Sequence, residues 1–188
     1  MSITEQDFQP GAYYHIYNRG TDLKTLFQRE ADYSYFKKKL QSKSHLCRVV
    51  IIAYCLMPNH YHLLVQEPDD SKEVLRTHDS KVSSMIHSLQ TSYAMYFNRR
   101  NQKSGYVFQG RFYAKCINSM KYFRILCCYI HCNPLDAHII RRAEDWRHSS
   151  ARAYLLDAVD PIVCKSIAID EYALIHQEYV QKRLSKNK

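Results

Sequence analysis

Residues 48–66, RVVIIAYCLMPNHYHLLVQ, decide how the rest of the chain is read. Residues 48–57 form an almost unbroken apolar run, the pattern of a central strand covered on both faces. Pro58-Asn59 is turn chemistry, and residues 60–66 resume as strand. The stretch therefore predicts an antiparallel hairpin at the middle of a sheet. Strand side chains alternate, so His60, His62 and Leu64 share one face, and Tyr61, Leu63 and Val65 the other. The two histidine Cα atoms then stand ~6.5 Å apart, twice the rise per residue. That spacing lets two imidazoles converge on one divalent ion. It also suits a pair of surface or hydrogen-bonded histidines, and H-x-H alone does not choose between them.

Working outward, residues 12–18 (AYYHIYN) are rich in strand formers and end at the turn-like Asn18-Arg19-Gly20. Residues 29–43 predict a helix, with Tyr33, Phe36 and Leu40 on one stripe. Residues 80–97 repeat apolar side chains at 82, 85, 86, 89, 93, 96 and 97, as an amphipathic helix does. NRRNQKSG (98–105) reads as a basic loop. One more strand is expected within 106–117, broken around Gln109-Gly110. Residues 120–133 predict another helix, ending near Asn133 because the residue before Pro134 is biased away from helical angles. A short helix around 149–157 and a polar helix from about 170 follow. The order β-α-β-β-α-β-α predicts an α+β fold, a ferredoxin-like or RRM-like antiparallel sheet with helices packed on it. A single domain over 1–188 is expected, with its core at about 12–155 and a C-terminal helical extension at about 156–188.

Charge points to the partner. The 188 residues carry 27 Lys and Arg against 18 Asp and Glu, a net charge of +9. Between Arg99 and Arg152 stand eleven basic residues against three acids, Asp136, Glu144 and Asp145. Basic charge concentrated among Tyr, Phe and Asn suggests a polyanion, most simply nucleic acid, although a solvated surface is also served by it. The longest apolar run, Val49 to Met57, is too short to span a membrane, and no secretory signal is visible at the N-terminus. Seven cysteines without framework spacing are expected to be reduced thiols in a cytoplasm.

The helix at 120–133 offers what two histidines lack. Tyr129 and Asn133 lie four apart and share a face, with Tyr122, Ile125 and Leu126 along the same side to dock the helix on the sheet. A phenol beside a metal can attack phosphate, since tyrosine forms covalent intermediates once activated. The plain alternatives are a core tyrosine, one of sixteen, and an asparagine that closes a helix. The rival cluster CCYIHC (127–132) lacks a second C-x2-C knuckle and reads as buried thiols rather than a zinc site. His15 either approaches the site or caps the sheet.

Five motifs stand in order: YHIYNRG (14–20), AYCLMPNHYHLLVQ (53–66), YFNRRNQKSGYVFQGRF (96–112), YIHCNP (129–134) and DWRHSS (145–150). Together they resemble the HUH-type single-tyrosine transposases, close to the REP-associated and insertion sequence 200-like branches. The resemblance implies that His60 and His62 bind a divalent metal, Mg²⁺ or Mn²⁺. It implies Tyr129 as the nucleophile and Asn133 as a further ligand, where insertion sequence 200-like relatives usually carry Gln. It implies a metal-dependent nuclease and strand transferase on single-stranded DNA beside hairpins, working through a 5′-phosphotyrosine, as a monomer or homodimer. Arg19, Arg99, Arg100, Lys103 and Arg111 are the expected backbone contacts. The other reading is a non-catalytic module that binds single-stranded DNA or RNA on an RRM-like sheet.

Overall fold

The chain is described by a computed structural model over residues 8–69, 80–165 and 172–186. Four strands form one antiparallel sheet: β1 (Tyr13–Arg19), β2 (Val50–Met57), β3 (His60–Gln66) and β4 (Tyr113–Ile117), in the order β2-β3-β1-β4. Helix α1 (Glu30–Cys47) crosses from β1 to β2, and α2 (Lys81–Asn101) from β3 to β4. This is the ferredoxin-like split βαβ arrangement expected from the element order. Three further helices follow: α3 (Met120–Asp136), α4 (Ala151–Leu155) and α5 (Tyr172–Lys186).

Strand β2 is buried on both sides, which is why it reads as a continuous apolar run. Tyr14, Ile16, Leu56, Tyr61, Leu63 and Val65 pack against Phe36 and Leu40 of α1 and Met85, Ile86 and Leu89 of α2. On the opposite face, Ile52, Ala53, Cys55 and Leu64 pack against Phe123, Leu126, Cys127 and Ile130 of α3 and Tyr172 of α5. A register shift between Ile51 and Ala53 lets β2 place Ile51 on the first face and both Ile52 and Ala53 on the second. The edge of β2 is covered by DWRHSS: Leu56 N–H donates to the His148 carbonyl at 2.9 Å and Tyr54 N–H to Ser150 Oγ at 2.9 Å.

Buried acids fix the helix starts. Asp32 Oδ2 accepts from the backbone N–H groups of Gln28 and Arg29 at the head of α1. Glu67, fully buried, accepts from Ser80 Oγ and from the Lys81 and Val82 N–H groups at the head of α2.

Several boundaries differ from expectation. Asn98–Asn101 complete α2, so the basic loop starts only at the left-handed Gln102. β4 is shorter than the segment assigned to it; Phe108 meets Gly20 in an isolated bridge instead. Helix α3 runs through Pro134 to Asp136. Proline removes the N–H that would serve the Ile130 carbonyl. The Asn133 amide answers this, donating to the Tyr129 and Ile130 carbonyls at 2.8 and 3.4 Å. The docking stripe of α3 is also rotated. Phe123, Leu126, Cys127 and Ile130 meet the sheet, while Ile125 is exposed and Tyr122 half-buried. Cys127, Cys128 and Cys132 are free and buried, with burial raising the thiol pKa of each. Among the described residues no helix is long and apolar enough to cross a membrane.

Candidate active site

The sheet register brings the site together. Arg19 lies opposite His60, and Tyr17 opposite both His62 and Tyr113. Directly opposed residues share a face, and this is the face on which α3 packs. The His60 and His62 rings stand 5.1 Å apart and the His62 and Tyr129 rings 5.6 Å apart. All four expected residues, His60, His62, Tyr129 and Asn133, therefore meet within one chain. Asn59, His60, His62, Tyr17, Arg19 and Tyr113 line a cavity of about 430 Å³ beside them.

Each imidazole is oriented through Nδ1. His60 Nδ1 lies 2.7 Å from Asn59 Oδ1, an acceptor, so that nitrogen carries the proton. His62 Nδ1 lies 2.9 Å from His15 Nε2. With Nδ1 engaged in this way on each ring, Nε2 is the nitrogen that each histidine turns toward the site. His15 is thus the partner of His62, a role the sequence left open. Its signal was the alternation Tyr13, His15, Tyr17, which places it on the site face once β1 neighbours β3. Tyr17, Tyr113 and Asn59 were missed as well.

Burial lowers the pKa of both histidines. His62 is pushed well below the ordinary imidazole value, with the neighbouring His15 and His60 adding to the effect. His60 is lowered by burial and partly restored by a hydrogen bond that its ring donates to the Asn133 side chain. Both are neutral near pH 7, the state in which imidazole binds a metal. Among the described residues no group of three or more His, Cys, Asp or Glu is placed around a metal position. Two neutral imidazoles and the Asn133 amide would together offer a donor set that fits a divalent ion keeping several waters. Half-buried Tyr129 has its pKa raised by burial, then by Asp136, against the opposing effects of Arg183 and Asn133.

The five expected DNA contacts separate. Arg19 lines the site cavity and is exposed, with Nε donating to Gln109. Arg99 and Lys103 line a different groove with Tyr35 and Tyr96, on the α1–α2 side. Arg100 borders that groove, but its guanidinium pairs with buried Asp32 and bonds Gln28 Oε1 at 2.9 Å. Arg111 is exposed in the loop before β4.

The model of the IS200-like transposase family matches residues 9–133. The chain belongs to that family. A Haemophilus influenzae Rd protein, named as a candidate REP-associated tyrosine transposase, is 29% identical over 109 residues, 53% of this chain. The match spans 57% of that relative's length. Among solved structures, a REP-associated tyrosine transposase bound to a REP hairpin superposes with a TM-score of 0.64. It is 16% identical, over 89% of this chain and 93% of that one, and so shares the fold. The family match ends at Asn133, so it contains β1, His60, His62, Tyr129 and Asn133.

Proposed function

We propose that this family member cleaves and rejoins single-stranded DNA through Tyr129, on strands flanked by hairpins such as the one its structural relative binds. The observation that carries the reading is the approach of Tyr129 to His62, with ring centres 5.6 Å apart, in one chain. His60 and His62, joined by Asn133, would hold Mg²⁺ or Mn²⁺. A divalent ion there supplies Lewis-acid polarisation of the scissile phosphate.

The residues do the rest. Tyr129 Oη forms a bond to phosphorus and releases its proton to water. The bond from phosphorus to the 3′-oxygen breaks, and that oxygen leaves as a hydroxyl after taking a proton. The product is a 5′-phosphotyrosine. The diester bond is exchanged rather than hydrolysed, so a 3′-hydroxyl can reverse the step without a nucleotide cofactor. Packing of α3 on the sheet holds the phenol in place, the positional part of the catalysis. Its raised pKa means that the phenol must be activated in place rather than ionised beforehand.

The test is covalent capture. Labelled hairpin DNA with single-stranded flanks is incubated with Mg²⁺ and resolved on a denaturing gel. The parent forms an adduct, mapped to the tryptic peptide containing Tyr129, and Tyr129→Phe forms none. An adduct on Tyr122, or one persisting in Tyr129→Phe, refutes the assignment. No adduct with any hairpin or metal leaves the non-catalytic binding module.

A further inference from the structure

Helix α3 covers only part of its face of the sheet. Tyr13 and Ile117 lie under it, but the other end of the β1–β4 pair, next to His62, is left open and carries two tyrosines in one row. Tyr17 and Tyr113 are opposed across the β1–β4 pair, and their rings stack nearly parallel, 5.1 Å apart at 11°. The Tyr17 ring is also 5.8 Å from that of His62. Tyr113, on the edge strand, is 44% exposed, which is unusual for a ring so close to buried histidines. Both line the cavity that contains His60 and His62.

Cations flank the row. Arg19 lies opposite His60 at one side, and Lys115 lies opposite His15 at the other. Both are exposed. Lys115 Nζ also sits over the Tyr122 ring, 4.8 Å from its centre, so it is held beside the tyrosines. An aromatic face between two phosphate-binding charges is the chemistry that receives an unpaired nucleotide.

We propose that Tyr113, backed by Tyr17, stacks an unpaired base of the DNA strand one or two nucleotides from the scissile phosphate, with Arg19 and Lys115 on the adjoining phosphates. The placement rests on the function proposed above. Tyr113 lies two strand spacings from His62, about 9.5 Å. The ring carries no hydrogen-bond code for a particular base, so the contact orders the strand without reading its sequence. Tyr17 is held on both sides, by Tyr113 and His62, and keeps the platform rigid.

The probe is a hairpin with single-stranded flanks of mixed sequence, carrying 2-aminopurine at one flank position at a time. Binding is measured by fluorescence in the Tyr129→Phe background, which keeps the strand intact. One position near the cleavage point is expected to be quenched on binding. Tyr113→Ala removes that quench and weakens binding roughly ten- to hundredfold. Tyr113→Phe and Tyr113→Trp retain both effects, and Arg19→Gln with Lys115→Gln lowers the salt dependence but keeps the quench. Adduct yield is scored separately with Tyr129 present. Tyr113→Ala is expected to lose adduct at low DNA concentration and regain it at saturation, a change in KM rather than kcat. Unchanged quench and affinity in Tyr113→Ala overturn the stacking assignment, whether or not the parent forms an adduct. Failure of the parent to form an adduct bears on Tyr129 alone, since the fluorescence titration does not depend on cleavage.

Discussion

His15 shows how one side chain acts through another. Its Nε2 is 2.9 Å from His62 Nδ1 and the two rings stack at 5.1 Å, while burial and nearby Lys115 push its pKa down to about 4. Through this contact His15 holds His62 Nδ1 and turns the opposite nitrogen of His62 toward the site. Removing such a partner costs about ten- to hundredfold in metal affinity. His15→Ala is therefore expected to weaken Mn²⁺ binding by about that factor in calorimetry, with His15→Gln, which retains an acceptor, restoring part of it. Equal affinity in His15→Ala and the parent would show that His62 needs no partner. Asn133 has two duties. It bonds His60 and also donates to the carbonyl that Pro134 leaves without its helical partner. Asn133→Ala is expected to raise the Mg²⁺ concentration for half-maximal cleavage and to lower stability by about 1 kcal/mol. Urea unfolding reads the second effect apart from the first.

At the scale of the element, the end of α2 divides its charges between folding and binding. Asp32 is completely buried and receives Arg100, the Tyr96 hydroxyl at 3.1 Å and two N–H groups of the α1 head. Removing one partner of a buried ion pair costs about 3–5 kcal/mol, because the other charge stays buried. Arg100 is partly open to solvent, so Arg100→Ala is expected at the lower end, about 3 kcal/mol in urea unfolding. Arg99 and Lys103 are exposed or half-exposed in the neighbouring groove. Replacing both by Ala should leave stability nearly unchanged. It should flatten the log–log salt dependence of single-strand binding by about 1.4, or about 0.7 per phosphate contact. A slope equal to the parent's would move the DNA path off this groove. In the sequence the three residues group by charge; their separation depends on Asp32, which stands 68 residues before Arg100.

At the scale of the whole molecule, Tyr129 approaches the histidines of its own chain. Mixing Tyr129→Phe with His62→Ala, each inactive under the proposed mechanism, is therefore expected to restore no adduct. Recovery of activity on mixing would mean that the tyrosine helix serves a second copy. The same helix is tied to distant segments through His131, which contacts the Tyr172 hydroxyl at 2.5 Å and Ser150 Oγ at 2.7 Å. Burial pushes its pKa to about 3, and that of His148, stacked on Tyr33, to about 4. Both are neutral in the folded chain, while the unfolded chain takes up their protons below about pH 6.5. Stability is therefore expected to be level above pH 7 and to fall as pH drops from 6.5 towards 4. Urea midpoints at pH 7.5, 6.0 and 5.0 should decline in that order, and a flat series would contradict the assignment.

The hairpin at 48–66, the strand–helix order and the shared face of His60 and His62 were legible in the sequence, because alternation and helical spacing are properties of neighbours along the chain. Tyr129 and Asn133 were legible as a pair for the same reason, and their motif is what suggested a site there. Which residues meet across strands was not. His15 joins His62, Tyr17 joins Tyr113, and Arg100 leaves the basic cluster for Asp32 only because strand order and helix packing bring together positions 47, 96 and 68 residues apart. The passage of α3 through Pro134 was likewise decided by tertiary structure. Local preference argues for a stop, but burial of the helix against the sheet and the Asn133 amide outweigh it.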